Sequence, residues 1–212
     1  MTKPASVILE GSHVRLRPLD PTGDAMGLFR VSCGDPIVWG SRRIPAFDSN
    51  TLVWKYLFDG PMASEDEMRE AITRRVNTER ALCFCVVDCL SDRPVGMANF
   101  ASNYPEHRRI ELGGLWLSPI VHGTSAAAEM VFLMLEHLFL NGYQRVEWKC
   151  DANNAKSCKV ALKFGFTFEG VQERHMIIKG NPRDTAWYRM LREEWVERRS
   201  MLIKMIEIRN MK

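Results

Sequence analysis

The sequence predicts a mixed α/β (α+β) fold with a mostly antiparallel sheet and one parallel strand pair. Strand-like and helix-like segments follow one another in the order strand, helical region, three strands, helix, strand, helix, two strands and helix. The strand–helix–strand unit at about residues 110–151 favours a parallel pair, because strands joined through a helix run in the same direction. The 212 residues, 46% of them hydrophobic, suffice for one domain with a substantial core.

The first third of the chain contains one strand pattern and one well-marked helix start. Residues 13–19 (HVRLRPL) alternate apolar and polar residues, as in a half-buried strand. A region rich in turns and aromatic residues follows over residues 20–61. Ser64 then precedes an acidic first turn with Glu67 three residues later, and this capping box predicts a helix from about Glu65.

Three strand patterns occupy the middle of the chain. Residues 81–90 and 95–102 are apolar runs that we expect to pair as a hairpin through the SDRP segment between them. Residues 109–117 (RIELGGLWL) form the third strand, where the two glycines indicate a bulge or a close backbone approach. Regular alternation would place Trp116 on the face of Leu112, opposite Glu111.

The remaining segments complete the predicted fold. An apolar helix over residues 128–140 ends at Asn141-Gly142, and residues 143–150 alternate as a strand. A helix over residues 153–164 follows, and then two strands over residues 166–180 and 184–191, joined by the KGNPRD loop. We therefore divide the chain into one domain over residues 1–192 and a C-terminal helical extension over residues 193–212, which covers a sheet edge or makes a dimer contact.

Composition excludes several classes of protein. A net charge of +3, without a long Lys/Arg block, is not that of a dedicated nucleic-acid binder. The longest apolar run, over residues 130–140, contains Glu136 and His137 and is too short to span a membrane. Residues 1–11 lack the pattern of a secretion signal, so we expect a cytoplasmic protein whose six cysteines are reduced and form no metal site.

Three stretches, in this order along the chain, carry a resemblance to a known family. They are the acid-bearing strand RIELGGLWLSP, the strand-to-helix turn HGTSAAAE and the helix start NNAKSCKVALKFGF. Together they resemble the GNAT acyl-CoA-dependent N-acetyltransferases, and among these the ribosomal-protein-alanine acetyltransferase-like (RimJ/RimL-type) branch. The resemblance covers residues 13–191 and implies the GNAT fold, with helices on both faces of the sheet, a splayed parallel strand pair, and acetyl-CoA as co-substrate.

The resemblance places the pyrophosphate of CoA at the strand-to-helix turn. A helix N-terminus offers unpaired N–H groups and the positive end of the helix dipole, which suit phosphate. The family pattern here is Gln/Arg-x-x-Gly-x-Gly/Ala, and the residues that match it are His122, Gly123, Thr124, Ser125, Ala126 and Ala127. His122 replaces the Gln or Arg, Ser125 replaces the middle glycine, and the Thr124 and Ser125 hydroxyls would add donors. The alternative is an ordinary helix start.

The acid-bearing strand supplies the candidate base and part of the CoA site. An amine must lose a proton before it attacks a thioester, and in the family a carboxylate on this strand often removes it. Glu111 is the candidate, and its alternative role is a surface ion pair with Arg108 or Arg109. By resemblance, backbone groups around Trp116 and Leu117 bind the pantetheine arm, and the Leu117 amide binds the thioester carbonyl.

The third motif carries the leaving-group end. Many GNAT enzymes protonate the CoA thiolate with a tyrosine at the position that Ala161 occupies here. The ribosomal-protein branch instead has Asn-x-x-Ser, which Asn154 and Ser157 match. Ser157 is therefore the candidate proton donor and Asn154 a candidate contact of the CoA arm, whereas their alternatives are a helix cap and a first-turn serine. Cys158 lacks the partners of a nucleophile, which favours direct transfer.

The resemblance thus implies an enzyme that transfers an acetyl group from acetyl-CoA to a primary amine in a ternary complex. The amine belongs to a small molecule or to a protein N-terminus, and the sequence does not choose between them. The alternative is a catalytically degenerate member that binds acyl-CoA or a protein partner. We expect no nucleic-acid or membrane partner, and a homodimer through the last helix stays open. Several aromatic residues would suit the acceptor cleft, but aromatic residues more often belong to the core, so we assign to the site none of Trp39, Phe47, Trp54, Tyr56 and Tyr188.

Overall fold

The computed structural model describes residues 3–210, which form ten strands and five α-helices. The strands are β1 (Leu9–Glu10), β2 (Val14–Pro18), β3 (Ile37–Trp39), β4 (Arg42–Ile44), β5 (Leu82–Asp88), β6 (Arg93–Tyr104), β7 (Arg109–Leu117), β8 (Arg145–Asp151), β9 (Thr167–Ile178) and β10 (Asn181–Leu191). The helices are α1 (Pro21–Arg30), α2 (Glu65–Val76), α3 (Ala126–Leu140), α4 (Ala155–Lys163) and α5 (Trp195–Asn210). The predicted domain starts at residue 1 and the predicted extension ends at residue 212, and residues 1–2 and 211–212 lie outside the described part of the chain.

Eight of these strands form one sheet in the order β1-β2-β5-β6-β7-β8-β10-β9. Every neighbouring pair is antiparallel except β7 and β8, which run parallel because α3 carries the chain from one to the other. The predicted mixed fold with one parallel pair is therefore confirmed. The short β3–β4 hairpin lies outside the large sheet and was not predicted.

Helices cover both faces of the sheet, as expected. We define the front face by Cys83, Asn99 and Glu111, which the strand register places on one side, and the back face by Phe100 and Leu112. Helix α2 lies on the front face, where the carbonyl of Arg75 accepts a hydrogen bond from the Cys83 thiol. Helix α3 lies on the back face, where the His137 ring stacks on Phe100. Acceptor and cofactor sites can therefore form only where these helices leave the sheet uncovered.

Local sequence signals account for two helix starts. The Ser64 hydroxyl accepts a hydrogen bond from the Glu67 amide at the start of α2, as the capping box predicts. The Asn154 side chain caps α4 by accepting from the Ser157 amide at 3.1 Å. Helix α1 lies within residues 20–61, where the sequence indicates turns and aromatic residues.

A bulge in β7 corrects one predicted face. Met97 pairs with Trp116 and Asn99 with Gly113, so Gly114 and Leu115 stand opposite the single residue Ala98. Gly114 has a φ of +59°, a left-handed conformation that favours glycine. Because the extra residue shifts the alternation, Trp116 lies on the front face with Glu111, and its predicted place beside Leu112 was wrong.

Two predicted turns are also shorter or displaced. The β5–β6 turn consists of residues 89–92, and Arg93 and Pro94 of the SDRP segment already belong to β6. The β9–β10 turn is Lys179-Gly180, both with positive φ, and residues 181–184 of the predicted loop continue β10. The second correction brings Arg183 into the sheet.

The C-terminal helix packs on the domain. Trp195 of α5 contacts Phe139 of α3 with ring centroids 5.3 Å apart, and its indole donates to Glu136 at 2.9 Å. Leu202 is completely buried. The buried side of α5 therefore faces α3. Among the described residues, no helix combines the length and apolar character needed to cross a membrane.

Candidate active site

The parallel strands β7 and β8 separate part-way along their length. They pair from Arg109 and Arg145 to Leu112 and Trp148, and beyond this point each strand continues without the other. A cavity of about 670 Å³ opens at the gap. Of the predicted site residues, it is lined by Glu111, Trp116, Leu117, His122, Ala127, Asn154 and Ser157. The structure thus brings the catalytic candidates to one cavity and confirms the predicted splay.

Glu111 lies on the front face where the strands begin to part. Its carboxylate accepts a hydrogen bond from the Ser102 hydroxyl at 3.0 Å and forms an ion pair with Lys149 Nζ at 3.0 Å. The partner is therefore Lys149, rather than Arg108 or Arg109. Both side chains are mostly buried, at 15% and 13% exposed. The carboxylate is held in place at the cavity wall by two groups from neighbouring strands.

Glu147 lies beside Glu111 in the parallel register and holds the cations of this region. Its buried carboxylate forms ion pairs with Arg145 at 2.9 Å, Lys149 at 3.1 Å and Arg109 at 3.3 Å. Burial alone would raise the pKa of Glu147, but these hydrogen bonds and charges together lower it below its ordinary value. Glu147 therefore fixes Lys149 between two carboxylates.

The backbone of Leu117 points into the gap. The Ser118 amide donates to the Val95 carbonyl at 2.7 Å, and hydrogen bonding alternates along an antiparallel pair. The amide and carbonyl of Leu117 therefore face away from β6 and towards β8. The carbonyl accepts from His122 Nε2 at 3.0 Å. The amide has the orientation required to bind a ligand inserted between the strands.

The start of α3 adjoins this gap, because His122 and Ala127 line the same cavity. Gly123 has a φ of +80°, and open space lies where a side chain would be. Ser125 has an ordinary helical φ of −72°, so the turn accommodates serine at the family's glycine position without strain. The Ser125 hydroxyl donates to the Ile206 carbonyl of α5, and the Thr124 hydroxyl donates to the Val121 carbonyl. The predicted phosphate site therefore depends on backbone amides rather than on these hydroxyls.

His122 links the turn to the cavity. Its pKa is lowered from the ordinary value, first by burial and then by the charge of Lys156, while the hydrogen bond to Leu117 acts in the opposite direction. Lys156 also lines the cavity. His122 and Lys156 thus place an imidazole and an ammonium group near the start of α3, where an anion would be bound.

The first turn of α4 also lines the cavity. Ser157 Oγ accepts a hydrogen bond from Trp148 Nε1 at 3.1 Å, which leaves the hydroxyl proton to donate elsewhere. Cys158 Sγ lies 3.6 Å from Cys150 Sγ, and burial raises the pKa of the Cys150 thiol to about 12. Asn154 caps the helix and lines the cavity at once. Its two predicted roles are compatible.

Comparison with known proteins decides the family. The model of the GNAT acetyltransferase domain matches residues 13–167. This chain belongs to the GNAT acetyltransferase family. It is therefore an acetyl-CoA-dependent acetyltransferase, which transfers an acetyl group from acetyl-CoA to an amine. No curated protein matches the sequence.

Solved structures agree with this GNAT assignment. A GCN5-related N-acetyltransferase from Brucella melitensis is 31% identical, with a TM-score of 0.86, over 95% of this chain and 86% of that one. A probable GNAT-family acetyltransferase from Chromobacterium violaceum is 34% identical, with a TM-score of 0.80, over 92% and 90% of the two chains. The Salmonella typhimurium acetyltransferase that modifies the N-terminal serine of ribosomal protein L7/L12 is 18% identical, over 87% and 99%, and its TM-score of 0.69 shows the shared fold.

Several residues of this GNAT cavity were missed by the sequence. Lys149 could have been predicted from the sequence, because strand alternation and the parallel register place it beside Glu111. Ser102, Asn99 and Trp187 carry no local signal. Arg183 was assigned to a loop because KGNPRD is a turn-like sequence. Of the aromatic candidates for the acceptor cleft, Tyr56 lines the cavity, whereas Tyr188 is buried against Phe168 on the back face.

The described part of this acetyltransferase contains no group of three or more His, Cys, Asp or Glu side chains placed to hold a metal ion.

Proposed function

We propose that this acetyltransferase transfers the acetyl group directly to a primary amine, with both substrates bound in the gap between β7 and β8. The amine nitrogen attacks the thioester carbonyl, its proton passes to Glu111, and the carbon–sulfur bond breaks to release the CoA thiolate. The observation that carries the proposal is that Glu111 and Ser157 line the same cavity. A base for the amine and a donor for the thiolate thus flank the same space.

CoA would enter as a strand-like ligand. The outward-facing Leu117 amide and the backbone of Trp116 would bind the pantetheine arm and the thioester oxygen. The pyrophosphate would bind at the start of α3 with His122 beside it, where the Thr124 amide donates to the Val121 carbonyl and the Ala126 amide to Thr124 Oγ1. The Asn154 side chain, although it caps α4, lies within reach of the arm in the same cavity.

Glu111 would act as the general base, directly or through one water. Its carboxylate is fixed by Ser102 and Lys149, so it does not need to be reoriented for each turnover. Loss of a proton by the ammonium is the step that this carboxylate assists. Lys149 would stabilise the ionised carboxylate of Glu111 before the substrate proton is transferred to it. Because Lys149 also forms an ion pair with Glu147, it would compete only weakly with that proton for Glu111.

Ser157 would protonate or stabilise the thiolate. The indole of Trp148 donates to Ser157 Oγ, so the hydroxyl proton points away from Trp148. The CoA thiolate is a good leaving group, and we expect this assistance to be smaller than that of Glu111.

The acceptor is a small amine or a protein N-terminus in this proposal. The Salmonella neighbour acts on a ribosomal protein, and the Asn-x-x-Ser start of α4 supports the same RimJ/RimL-type branch. We also propose that residues 1–192 form the catalytic domain, that residues 193–212 are an extension that supports α3, and that the enzyme acts in the cytoplasm.

The experiment measures release of free thiol from acetyl-CoA with a panel of amines and N-terminal peptides, for the wild type, Glu111→Gln and Glu106→Gln. Glu106 is an exposed glutamate outside the cavity and serves as the control. We expect Glu111→Gln to lower kcat/KM by about 100-fold near neutral pH without changing the affinity for CoA. A full rate in this variant would exclude Glu111 as the base. CoA binding without turnover on any acceptor would favour the degenerate alternative.

A further inference from the structure

The acceptor side of the cavity contains buried polar atoms without hydrogen-bond partners. Within the described residues, these atoms are Arg183 Nε, Trp187 Nε1, Trp116 Nε1 and Asn99 Oδ1, and all four residues line the cavity. Buried polar groups are nearly always paired in folded proteins, because an unpaired group loses its hydration without compensation. A set of unpaired groups around one cavity therefore indicates which polar groups a ligand of this cavity would carry.

Arg183 is the member of this set that most requires a partner, because its side chain is charged. The residue is only 7% exposed, and its Nε is buried without a hydrogen-bond partner among the described residues. Its guanidinium group lies 5.8 Å from the centre of the Phe58 ring, which contributes no negative charge. Asp184 and Asp151 each accept a backbone amide hydrogen bond, from Arg174 and from Asn153, and neither forms an ion pair with Arg183. A buried cation without a counter-ion is costly unless a ligand supplies the anion.

The geometry points to an acceptor that carries a carboxylate on the same small molecule as its amine, with Arg183 binding that carboxylate. This inference rests on the proposed function and names its substrate class. A guanidinium group matches a carboxylate with two parallel hydrogen bonds. The Trp187 indole, on the same strand and the same face, offers a further donor. A single buried cation suits a monoanion better than a phosphate dianion.

The amine end of this acceptor would lie near Glu111. Asn99 Oδ1 is an unpaired acceptor, and Asn99 pairs with Gly113, two residues from Glu111 on the same face. Trp187 pairs with Lys149, which contacts Glu111, and Arg183 lies four residues further along β10, or about 13 Å. An amino acid or ω-amino acid therefore fits between the acidic end and the Arg183 end of a cavity of about 670 Å³.

The experiment compares amines that differ only in the carboxylate. The pairs are phenylalanine and phenethylamine, lysine and cadaverine, and γ-aminobutyrate and propylamine, with phosphoethanolamine as the phosphate arm. Thiol release is measured for the wild type, Arg183→Met, Arg183→Lys and Arg192→Met, which removes an exposed arginine outside the cavity. We expect the wild type to prefer the carboxylate member of at least one pair. Arg183→Met should raise KM for that member about 10- to 100-fold and change its decarboxylated partner less than about threefold.

Several results would overturn the inference. They are equal rates for both members of every active pair, an equal loss on both members in Arg183→Met, or an Arg183-dependent preference for phosphoethanolamine. Weaker CoA binding in Arg183→Met with unchanged discrimination would assign the arginine to the cofactor instead. Arg183→Lys, which keeps the charge, should retain part of the discrimination, and this separates recognition from a folding defect.

A binding arm keeps this test independent of catalysis. Calorimetry with CoA present compares N-acetyl amino acids with their C-terminal amides, on the wild type and on Arg183→Met. Tighter binding of the free acids that disappears in Arg183→Met supports the inference even if no amine of the panel is turned over, in which case only the proposed function fails. Equal binding of acids and amides overturns the inference, whatever the activity.

Discussion

Glu147→Gln tests whether the buried carboxylate organises the charged groups beside the candidate base. Its side chain is 4% exposed, and its oxygens lie within 3.3 Å of three cationic side chains, those of Arg109, Arg145 and Lys149. Glutamine keeps the shape of the side chain and removes its charge. The substitution therefore leaves three cations close together with one neutralising carboxylate fewer.

The expected cost follows from what each cation retains. Arg145 keeps its ion pair with Glu169, Lys149 keeps Glu111, and Arg109 keeps its stacking on Tyr104. Breaking a fully buried ion pair costs about 3–5 kcal/mol. These remaining contacts and the partial exposure of the two arginines reduce the expected loss to about 2–4 kcal/mol of unfolding free energy, or about 4–16 °C in Tm for a chain of this size.

The assay is urea unfolding followed by tryptophan fluorescence at several pH values. Because the pKa of Glu147 is lowered in the folded protein, its contribution to stability is present above the unfolded value of about 4.3 and is lost as pH falls through the folded value. The difference between wild type and Glu147→Gln should therefore be constant above about pH 5 and shrink in acid. Glu106→Gln, at an exposed pair 3.9 Å from Arg80, should cost less than about 1 kcal/mol. Equal costs for the two variants would refute the reasoning.

Two further predictions concern the CoA turn. Gly123→Ala places a side chain on a φ of +80° and should weaken CoA binding about 5- to 10-fold, measured by calorimetry. Gly142→Ala, with a φ of +86° at the far end of α3, is the control and should leave the affinity for CoA unchanged. Equal affinity in both variants would contradict the assignment of the CoA turn. CoA phosphates should raise the lowered pKa of His122, so binding takes up a proton and CoA affinity should increase as pH falls from about 8 to 6. His122→Gln should lose this part of the pH dependence, and parallel pH profiles would place the phosphates elsewhere.

The sequence predicts the elements whose signals are local. The Ser64 capping box and the period-two pattern of residues 143–150 depend on neighbours along the chain, and both are confirmed. Helix α1 begins with the Asp20 cap and Pro21, but Gly23 and Gly27 disfavour a helix, so its interior lacks such a signal. Gly27 is there because a side chain would meet the Pro94 ring at 2.9 Å, and buried Asp24 is held by Arg17. Both reasons are tertiary contacts that no local pattern contains.

The site divides in the same way. Glu111, His122, Asn154 and Ser157 belong to short motifs, and all four were predicted to lie in the site and line the cavity. The face on which Trp116 lies depends on the bulge that places two residues of β7 opposite Ala98. This bulge is a property of the pairing between β7 and β6, and the sequence of β7 alone does not show it. Arg183 joins the cavity because β10 continues through a turn-like sequence, supported by β9. Pairing between strands, rather than composition, determined these positions.

Ser125 shows how a departure from the family pattern becomes part of this particular fold. The family's glycine would permit a positive φ, but the chain has −72° here, so a side chain costs nothing in backbone strain. The side chain is 3% exposed, and its hydroxyl donates to the Ile206 carbonyl of α5. A glycine could not make this contact. The serine therefore ties the start of α3 to the C-terminal helix, and the position of the proposed phosphate-binding amides depends on how α5 packs.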